Sequence, residues 1–402
     1  MVFIVAFEYD VCVVGGFGHV GLPLAIAFAN LGKKTCAYDI AEKTFEQLKR
    51  GEMPFVEYRG KEQMDDALKK GMLDFSLSKD VVGKSRNIII TIGTPTDEHL
   101  NPEFHKFRRL IDQYVDMLND DQLIVIRSTV YPGTTDMISR HLKSKGKNTM
   151  VAFCPERIIE GYALKELFEL PQIISATDKN GLERAKELFA PFNIELLEVL
   201  PLEAELSKLF TNAWRYIKFG VANQFYMIAN DAGVDFYNVY KAMTHNYKRA
   251  SDLPKAGFAA GPCLFKDTVQ ANAFHRNNFY IGNATIQVNE GLPSYIVEKL
   301  KTKHNLRSKK VGILGMAFKP EIDDGRDSLS YKLRKILELE SSQVLCSDEY
   351  IKDPTFVSPE NLVRESDVII IATPHKKYLE LEIPKSKAVV DIWNFYGNGS
   401  MV

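Results

Sequence analysis

Val11-Cys12-Val13-Val14-Gly15-Gly16-Phe17-Gly18-His19-Val20-Gly21 is the stretch from which the fold is read. Its four leading apolar residues have the look of a buried strand, and the apolar run Leu22 to Ala29 beyond the glycines has that of a helix. Between them, Gly16, Gly18 and Gly21 stand at the spacing, and in the strand-turn-helix context, of a dinucleotide fingerprint, with Phe17 and Val20 completing the segment. Gly16 permits the tight turn, Gly18 lets the backbone approach a pyrophosphate, and Gly21 allows the helix to pack closely. Asp39 closes the next strand-like run, where its carboxylate would accept hydrogen bonds from an adenosine ribose and disfavour a 2′-phosphate. NAD is therefore expected in preference to NADP.

Outward from this unit, strand-like runs at Lys34 to Tyr38, Asn87 to Ile92, Leu123 to Ile126, Met150 to Phe153 and Gln172 to Ala176 alternate with amphipathic stretches. That rhythm predicts a parallel doubly wound sheet. Thr94-Pro95 and Tyr131-Pro132-Gly133 follow two of the runs, at the strand ends where such sheets bind ligands. A long helical stretch from about Leu202 to Asp231 comes next, with Glu205, Lys208 and Asn212 on roughly one face. At Lys309 a second α/β unit begins, and Val311 to Phe318 and Asp367 to Pro374 echo the first strand, its turn and the segment Asn87 to Pro95. The expectation is an α/β protein of two Rossmann-like doubly wound domains, 1–199 and 301–402, joined by a helical central domain, 200–300, that opens with a long connecting helix.

With 402 residues and a formal net charge of −1, the chain has the composition of a soluble multidomain protein and no general basic field for nucleic acid. No apolar run approaches membrane-spanning length, and Met1 to Phe7 reads as a tail entering the first strand. The five cysteines form no CxxC pair, so neither a disulfide framework nor a metal site is expected, and a reducing cytoplasm fits best. Cys12, Cys36 and Cys346 lie in strand-like runs as small buried hydrophobes, whereas Cys154 and Cys263 border Pro and Gly turns.

Chemistry concentrates in Gly257-Phe258-Ala259-Ala260-Gly261-Pro262-Cys263-Leu264-Phe265-Lys266-Asp267-Thr268, where a thiol stands beside a cation and a carboxylate. A thiolate can add to an aldehyde, and the hemithioacetal can lose a hydride to give a thioester that water cleaves. Lys266, if held near, would favour the thiolate and steady the oxyanion. Glu156 and Glu160 follow a strand end and could supply carboxylates to a pocket, or could simply begin a solvated helix. Ser128-Thr129 offers hydroxyls for water or cofactor, and Lys208 with Asn212, one turn apart, could clamp an oxyanion or lie at the surface. The basic segment Lys299 to Lys310 reads as a solvated linker.

Taken in order along nearly the whole chain, these motifs resemble the UDP-glucose/GDP-mannose dehydrogenase family. The matching pieces are Gly16 to Gly21, Thr94-Pro95, Ser128-Thr129-Val130 with Pro132-Gly133-Thr134, Pro155-Glu156 with Glu160-Gly161, Glu203-Ala204-Glu205 with Lys208 and Asn212, Gly261 to Asp267, and Leu314 to Pro320 with Asp323-Asp324 and Arg326-Asp327-Ser328. The resemblance implies that Cys263 is the nucleophile, that Lys208 and Asn212 steady the oxyanions, and that Lys266 assists. It implies further that Asp267 and Thr129 hold the water that takes the alcohol proton, and that Glu160 serves thioester hydrolysis. Gly257, Phe318 and Lys319 match contacts to the nucleotide sugar, to which Glu156 is added, and Thr94 and Arg326 match contacts to the cofactor. Arg249 is similar to an arginine that reaches the substrate of a neighbouring subunit, which implies a homodimer built on the long helix.

Departures from the family pattern leave the sugar open: Ala260-Gly261-Pro262 stands where Gly-Gly is usual, and Lys266-Asp267 is similar to the glucose members, whereas Thr373-Pro374-His375 replaces their Thr-Glu-Trp. Cys154 stands where Asn is frequent, which opens an auxiliary role for that thiol beside the structural one. The expected activity is an NAD-dependent, four-electron oxidation of a UDP-sugar, with UDP-N-acetylhexosamine preferred to UDP-glucose. A single-hydride hydroxyacid dehydrogenase, needing no thiol, is the enzymatic alternative, and a nucleotide-sensing protein with a dead site is the non-enzymatic one.

Overall fold

In the computed structural model, residues 7–93, 104–259 and 261–402 are described. Packing divides the chain into two compact units, Met1–Phe210 and Thr211–Val402.

The first unit is built on an eight-stranded sheet formed by β1 (Tyr9–Val14), β2 (Thr35–Tyr38), β3 (Leu73–Ser76), β4 (Ser85–Ile90), β5 (Leu123–Ile126), β6 (Met150–Phe153), β7 (Gln172–Ala176) and β8 (Leu196–Glu198), in the order β3-β2-β1-β4-β5-β6-β7-β8. The first six strands follow the doubly wound order in which the chain reverses between β1 and β4, the usual place for a nucleotide. Strand residues alternate between two buried layers: Val11, Val13, Ala37, Leu123 and Val125 pack on one face, and Cys12, Val14, Cys36, Ile124 and Ile126 on the other. A sheet covered on both faces needs such near-continuous apolar strands.

The expected parallel sheet holds through β6, after which β7 runs antiparallel to β6 and β8 runs parallel to β7. The cause lies in the connection between β6 and β7. It contains only a four-residue helix, Ala163–Glu166, and brings the chain back at the same end of the sheet. A buried ion pair fixes this connection, since Arg127 Nε donates to Glu156 Oε2 at 2.6 Å, with Nη2 on the same oxygen, while Nη1 donates to both Cys154 O and Gln172 Oε1.

The helix Pro201–Asp231 contributes residues to each unit. At its start Glu205 is buried and accepts from Gly133 N, Thr135 N and Thr135 Oγ1, supplying from a distant segment the cap that the helix Thr134–Ser144 lacks locally. Further along, Phe210, Trp214, Val221 and Ile228 are exposed. At about 100° per residue they fall within one stripe.

In the second unit, β9 (Lys310–Leu314), β10 (Gln343–Ser347), β11 (Val368–Ile371) and β12 (Ala388–Val390) form a parallel sheet in the order β10-β9-β11-β12. Its core is shared with the central helices: Tyr226, Phe236, Leu292, Ile296, Val297 and Leu300 belong to the same apolar cluster as Val311, Ile313, Val368 and Ile370. Among the described residues no helix is long and apolar enough to cross a membrane.

Candidate active site

The first unit carries a cradle at the carboxyl end of β1. Gly15 leaves the strand at φ +79°, and the N–H groups of Gly15 and Gly16 both donate to Tyr38 O at 2.9 Å. The left-handed residue is thus Gly15, whereas the sequence reading gave the tight turn to Gly16. Gly16 is needed for a steric reason, because a Cβ there would lie 2.8 Å from Ala37 Cα. A Cβ at Gly21 would collide with the Gly15 carbonyl. Gly18 differs: it is exposed, and its nearest neighbour to a Cβ would be 3.7 Å away, leaving open backbone for a phosphate to approach.

The helix Gly21–Asn30 begins without a side-chain cap or an acid in its first turn, so its amino-terminal N–H groups and dipole favour an anion. Asp39 follows β2 and accepts from Phe17 N at 3.3 Å and Ile40 N at 2.7 Å. The Phe17 ring is buried beside Phe45 and Phe75, and Val20 is half-buried at the helix start. These residues fit a dinucleotide, with room at Gly18, an uncapped helix for the pyrophosphate and a carboxylate at the second strand end.

Other expected residues of this unit lie past its strand ends. Thr129 is half-buried just beyond β5, beside Ser128, whose hydroxyl donates to Ile90 O. Glu160 is half-buried in the connection between β6 and β7. Glu156 is buried in its pair with Arg127, and its other oxygen accepts from Arg157 N and Ile158 N, so both oxygens are engaged within the protein. Burial pushes the Cys154 thiol up to about 12, against a smaller opposing influence of Arg127, which keeps it protonated and inert. Lys208 is half-buried and makes no ion pair among the described residues. Thr94 lies outside the described residues.

In the second unit Cys263 is exposed, whereas Cys12, Cys36, Cys154 and Cys346 are buried. It occupies the N-cap of the helix Leu264–Phe274, whose dipole favours negative charge at that end. Within the next turn Asp267 is fully buried. Its Oδ2 accepts from Asn212 Nδ2 at 2.5 Å, and Lys266 Nζ lies 3.5 Å from Oδ1. Oδ1 takes no hydrogen bond from the described residues, leaving a buried acceptor for a water or a hydroxyl. Sequence spacing could not foresee that Asn212 and Asp267 meet, because they stand 55 residues apart.

Gly261 has φ +106°, and a Cβ there would lie 2.6 Å from the Phe318 ring. The loop after β9 is thereby seated on the cysteine turn. Lys319 follows in that loop, half-buried. Arg326 is held by Asp324, with Nε 2.8 Å from Oδ2, and Arg249 is exposed beside the Tyr247 hydroxyl. Gly257 leaves no space for a Cβ against the Trp393 ring.

Sequence reasoning missed the clamp on Gly257. Asn223, fully buried, accepts from Gly257 N at 2.8 Å and donates to Gly257 O at 3.0 Å. Its amide also donates to Asn289 Oδ1 at 2.8 Å, and Asn289 in turn donates to Tyr216 O. A signal was present, since Asn212 and Asn223 are eleven residues, or about three turns, apart and so share a helical face that is otherwise packed.

Comparison with known proteins agrees with this geometry. The UDP-glucose/GDP-mannose dehydrogenase family models match residues 9–193 as the NAD binding domain, 202–291 as the central domain and 312–398 as the UDP binding domain. The UDP-N-acetyl-D-mannosamine dehydrogenase of Methanocaldococcus jannaschii is 30% identical over 92% of this chain and 86% of that protein. The structure of the UDP-N-acetyl-D-mannosamine dehydrogenase of Pyrococcus horikoshii superposes with a TM-score of 0.89 at 26% identity, covering 96% of this chain and 95% of that one. A UDP-glucose dehydrogenase of Pyrobaculum islandicum superposes with a TM-score of 0.85 at 28% identity, covering 97% and 95%. With its three domains matched in order and its cradle suited to NAD, the chain belongs to the UDP-glucose/GDP-mannose dehydrogenase family, a family of NAD-dependent nucleotide-sugar dehydrogenases.

Proposed function

We propose that this enzyme oxidises C6 of a UDP-N-acetylhexosamine, with UDP-N-acetylmannosamine the first candidate, to the uronic acid through a thioester on Cys263. The observation that carries the thioester is the exposed thiol at a helix N-cap, one turn before a buried carboxylate. NAD, when bound, accepts one hydride in each of two oxidations.

Asp267, with Thr129, holds the water that removes the alcohol proton, and the buried Oδ1 supports this role. The Cys263 thiolate then adds to the aldehyde carbon. Lys208 and Asn212 steady the resulting oxyanion, assisted by Lys266; Asn212 keeps one amide hydrogen beyond that given to Asp267. Loss of the second hydride leaves the acyl group on sulfur, and water positioned by Glu160 cleaves it to carboxylate and thiol. Thr94 and Arg326 are assigned to the cofactor, and Gly257, Phe318 and Lys319 to the sugar nucleotide, which Glu156, with both oxygens engaged by Arg127 and by the Arg157 and Ile158 N–H groups, serves by bracing the connection after β6. Because the Gly257 N–H is already bound by Asn223, its part is to shape the loop.

The apolar stripe Phe210, Trp214, Val221 and Ile228 supports a homodimer in which Arg249 serves the neighbouring subunit's substrate. Four buried thiols suit the reducing cytoplasm expected from the sequence. A three-part division at 1–199, 200–300 and 301–402 is retained as the functional one. UDP-glucose is the second substrate reading, favoured by the likeness to the Pyrobaculum islandicum enzyme.

The test is NADH yield with UDP-N-acetylmannosamine, UDP-N-acetylglucosamine and UDP-glucose. Two NADH per sugar consumed are expected, with acid formation abolished in Cys263→Ala while NAD binding persists. One NADH per sugar, or unchanged uronate from Cys263→Ala, would remove the thioester from the mechanism.

A further inference from the structure

Three loops converge at the carboxyl end of the second sheet. The order β10-β9-β11 places the chain reversal between β9 and β11, and Thr373-Pro374-His375 leaves β11 at that point. His375 is fully buried. Its Nε2 lies 3.2 Å from Asp348 Oδ2, and its Nδ1 lies 3.0 Å from Glu321 N.

The protonation of the ring follows from its partners. Asp348 Oδ2 also accepts from Met316 N at 2.6 Å and Ala317 N at 2.9 Å, while Oδ1 accepts from Tyr350 N and Ile351 N. A carboxylate accepting four backbone N–H groups is ionised and can only accept from the imidazole, so Nε2 carries the proton. Nδ1 is then a lone pair, and the Glu321 N–H donates to it. The network thus assigns a neutral Nε2–H ring, wedged between Tyr350 and Tyr378 with centroids 5.0 and 5.3 Å away.

Glu321 is an unusual residue to hold. It has φ +64°, a left-handed conformation that a side chain disfavours. Its carboxylate accepts from Lys376 N at 2.8 Å and the Tyr350 hydroxyl at 3.1 Å, so side chain and backbone are both fastened to the loops after β10 and β11. Phe318 stands three residues earlier in the same loop and is packed on Gly261, two residues before Cys263.

We propose that His375 is a positioning residue for the sugar nucleotide: through its Nδ1 lone pair it holds Glu321 in the left-handed turn, and so sets the Phe318-Lys319 loop and the cysteine turn beneath it. The inference rests on the assignment of that loop to the nucleotide sugar made above. The His375 side chain is fully buried and presents no surface to a ligand. It acts through the backbone of Glu321.

The experiment compares His375→Ala, His375→Gln and His375→Asn in the full-length enzyme, with UDP binding measured by titration calorimetry and KM and kcat measured for the best UDP-sugar. Asparagine can return an acceptor at the place of Nδ1, whereas glutamine returns only the donor to Asp348. His375→Ala and His375→Gln should weaken UDP binding and raise the sugar-nucleotide KM by about tenfold, the loss expected for one buried hydrogen bond. Their KM for NAD should stay unchanged, and His375→Asn should recover most of the loss. Equal UDP affinity in wild type and His375→Ala, or equal damage in the Asn and Gln variants, overturns the proposal. UDP binding by the wild type without turnover of any UDP-sugar would sink the oxidation reading instead and leave the calorimetric comparison intact.

Discussion

Removing the Asn223 amide should unsettle the second unit by an amount that its contacts allow to be worked out. Asn223→Ala strands two buried groups, the Gly257 N–H and Asn289 Oδ1, while Gly257 O keeps its bond from Ala259 N at 2.8 Å. Each stranded group costs about 1–3 kcal/mol, so a loss of about 4 kcal/mol is expected, a large part of a domain's total stability. Both tryptophans, Trp214 and Trp393, belong to this unit, so fluorescence during urea unfolding reports on it alone. With a denaturant slope of about 2 kcal/mol per molar, the midpoint should fall by about 2 M. Asn289→Leu made in the Asn223→Ala background should cost less than in the wild type, because Asn289 Oδ1 is stranded already. A midpoint shift below about 0.5 M would mean that Gly257 finds other partners and that the clamp does not hold the loop.

Two further outcomes are expected. Burial raises the Asp348 pKa, but His375 and the N–H groups of Ile351 and Tyr350 outweigh it and bring the carboxyl below its ordinary value. Its folded-state pKa is depressed, so its contribution is complete above the unfolded value near 4 and is lost as pH falls through the folded one; the stability gap to Asp348→Asn should narrow by up to about 1.4 kcal/mol per unit below pH 4, and a constant gap down to pH 3 in urea titrations would contradict the assignment. Trp214→Glu combined with Ile228→Glu places two charges on the apolar stripe proposed as the dimer face and should lower the mass by light scattering to that of a monomer, whereas a mass unchanged from the wild type would exclude that face as an interface.

Legibility of the fold tracked how far each element is fixed by its own residues. β5, β6 and β7 were delimited to the residue because each is a short apolar run bounded by turn formers. β3 and β8 escaped because neither is a continuous apolar run: β3 buries only Leu73 fully and exposes Asp74, and β8 is three residues with two exposed. The reversed direction of β7 is written in no hydrophobic period; it depends on the path of the connection after β6. In the site, the fingerprint and the cysteine turn were visible as local spacings. The Arg127–Glu156 pair, the Glu205 cap and the Asn223 clamp join residues 29 to 72 positions apart, so only the folded chain brings them together.

The apolar cluster shared by the central helices and the second sheet limits how this enzyme can be re-engineered for another sugar. A chimera spliced near residue 300 would graft a foreign sheet onto helices whose Leu292, Ile296 and Leu300 were shaped for Val311 and Ile370, and would inherit mismatched volumes at the seam. Crossover points ahead of the long helix would transplant helices and sheet as one matched block, so selectivity swaps made there should yield soluble hybrids more often when the hybrid keeps Glu205, the cap of the Thr134–Ser144 helix.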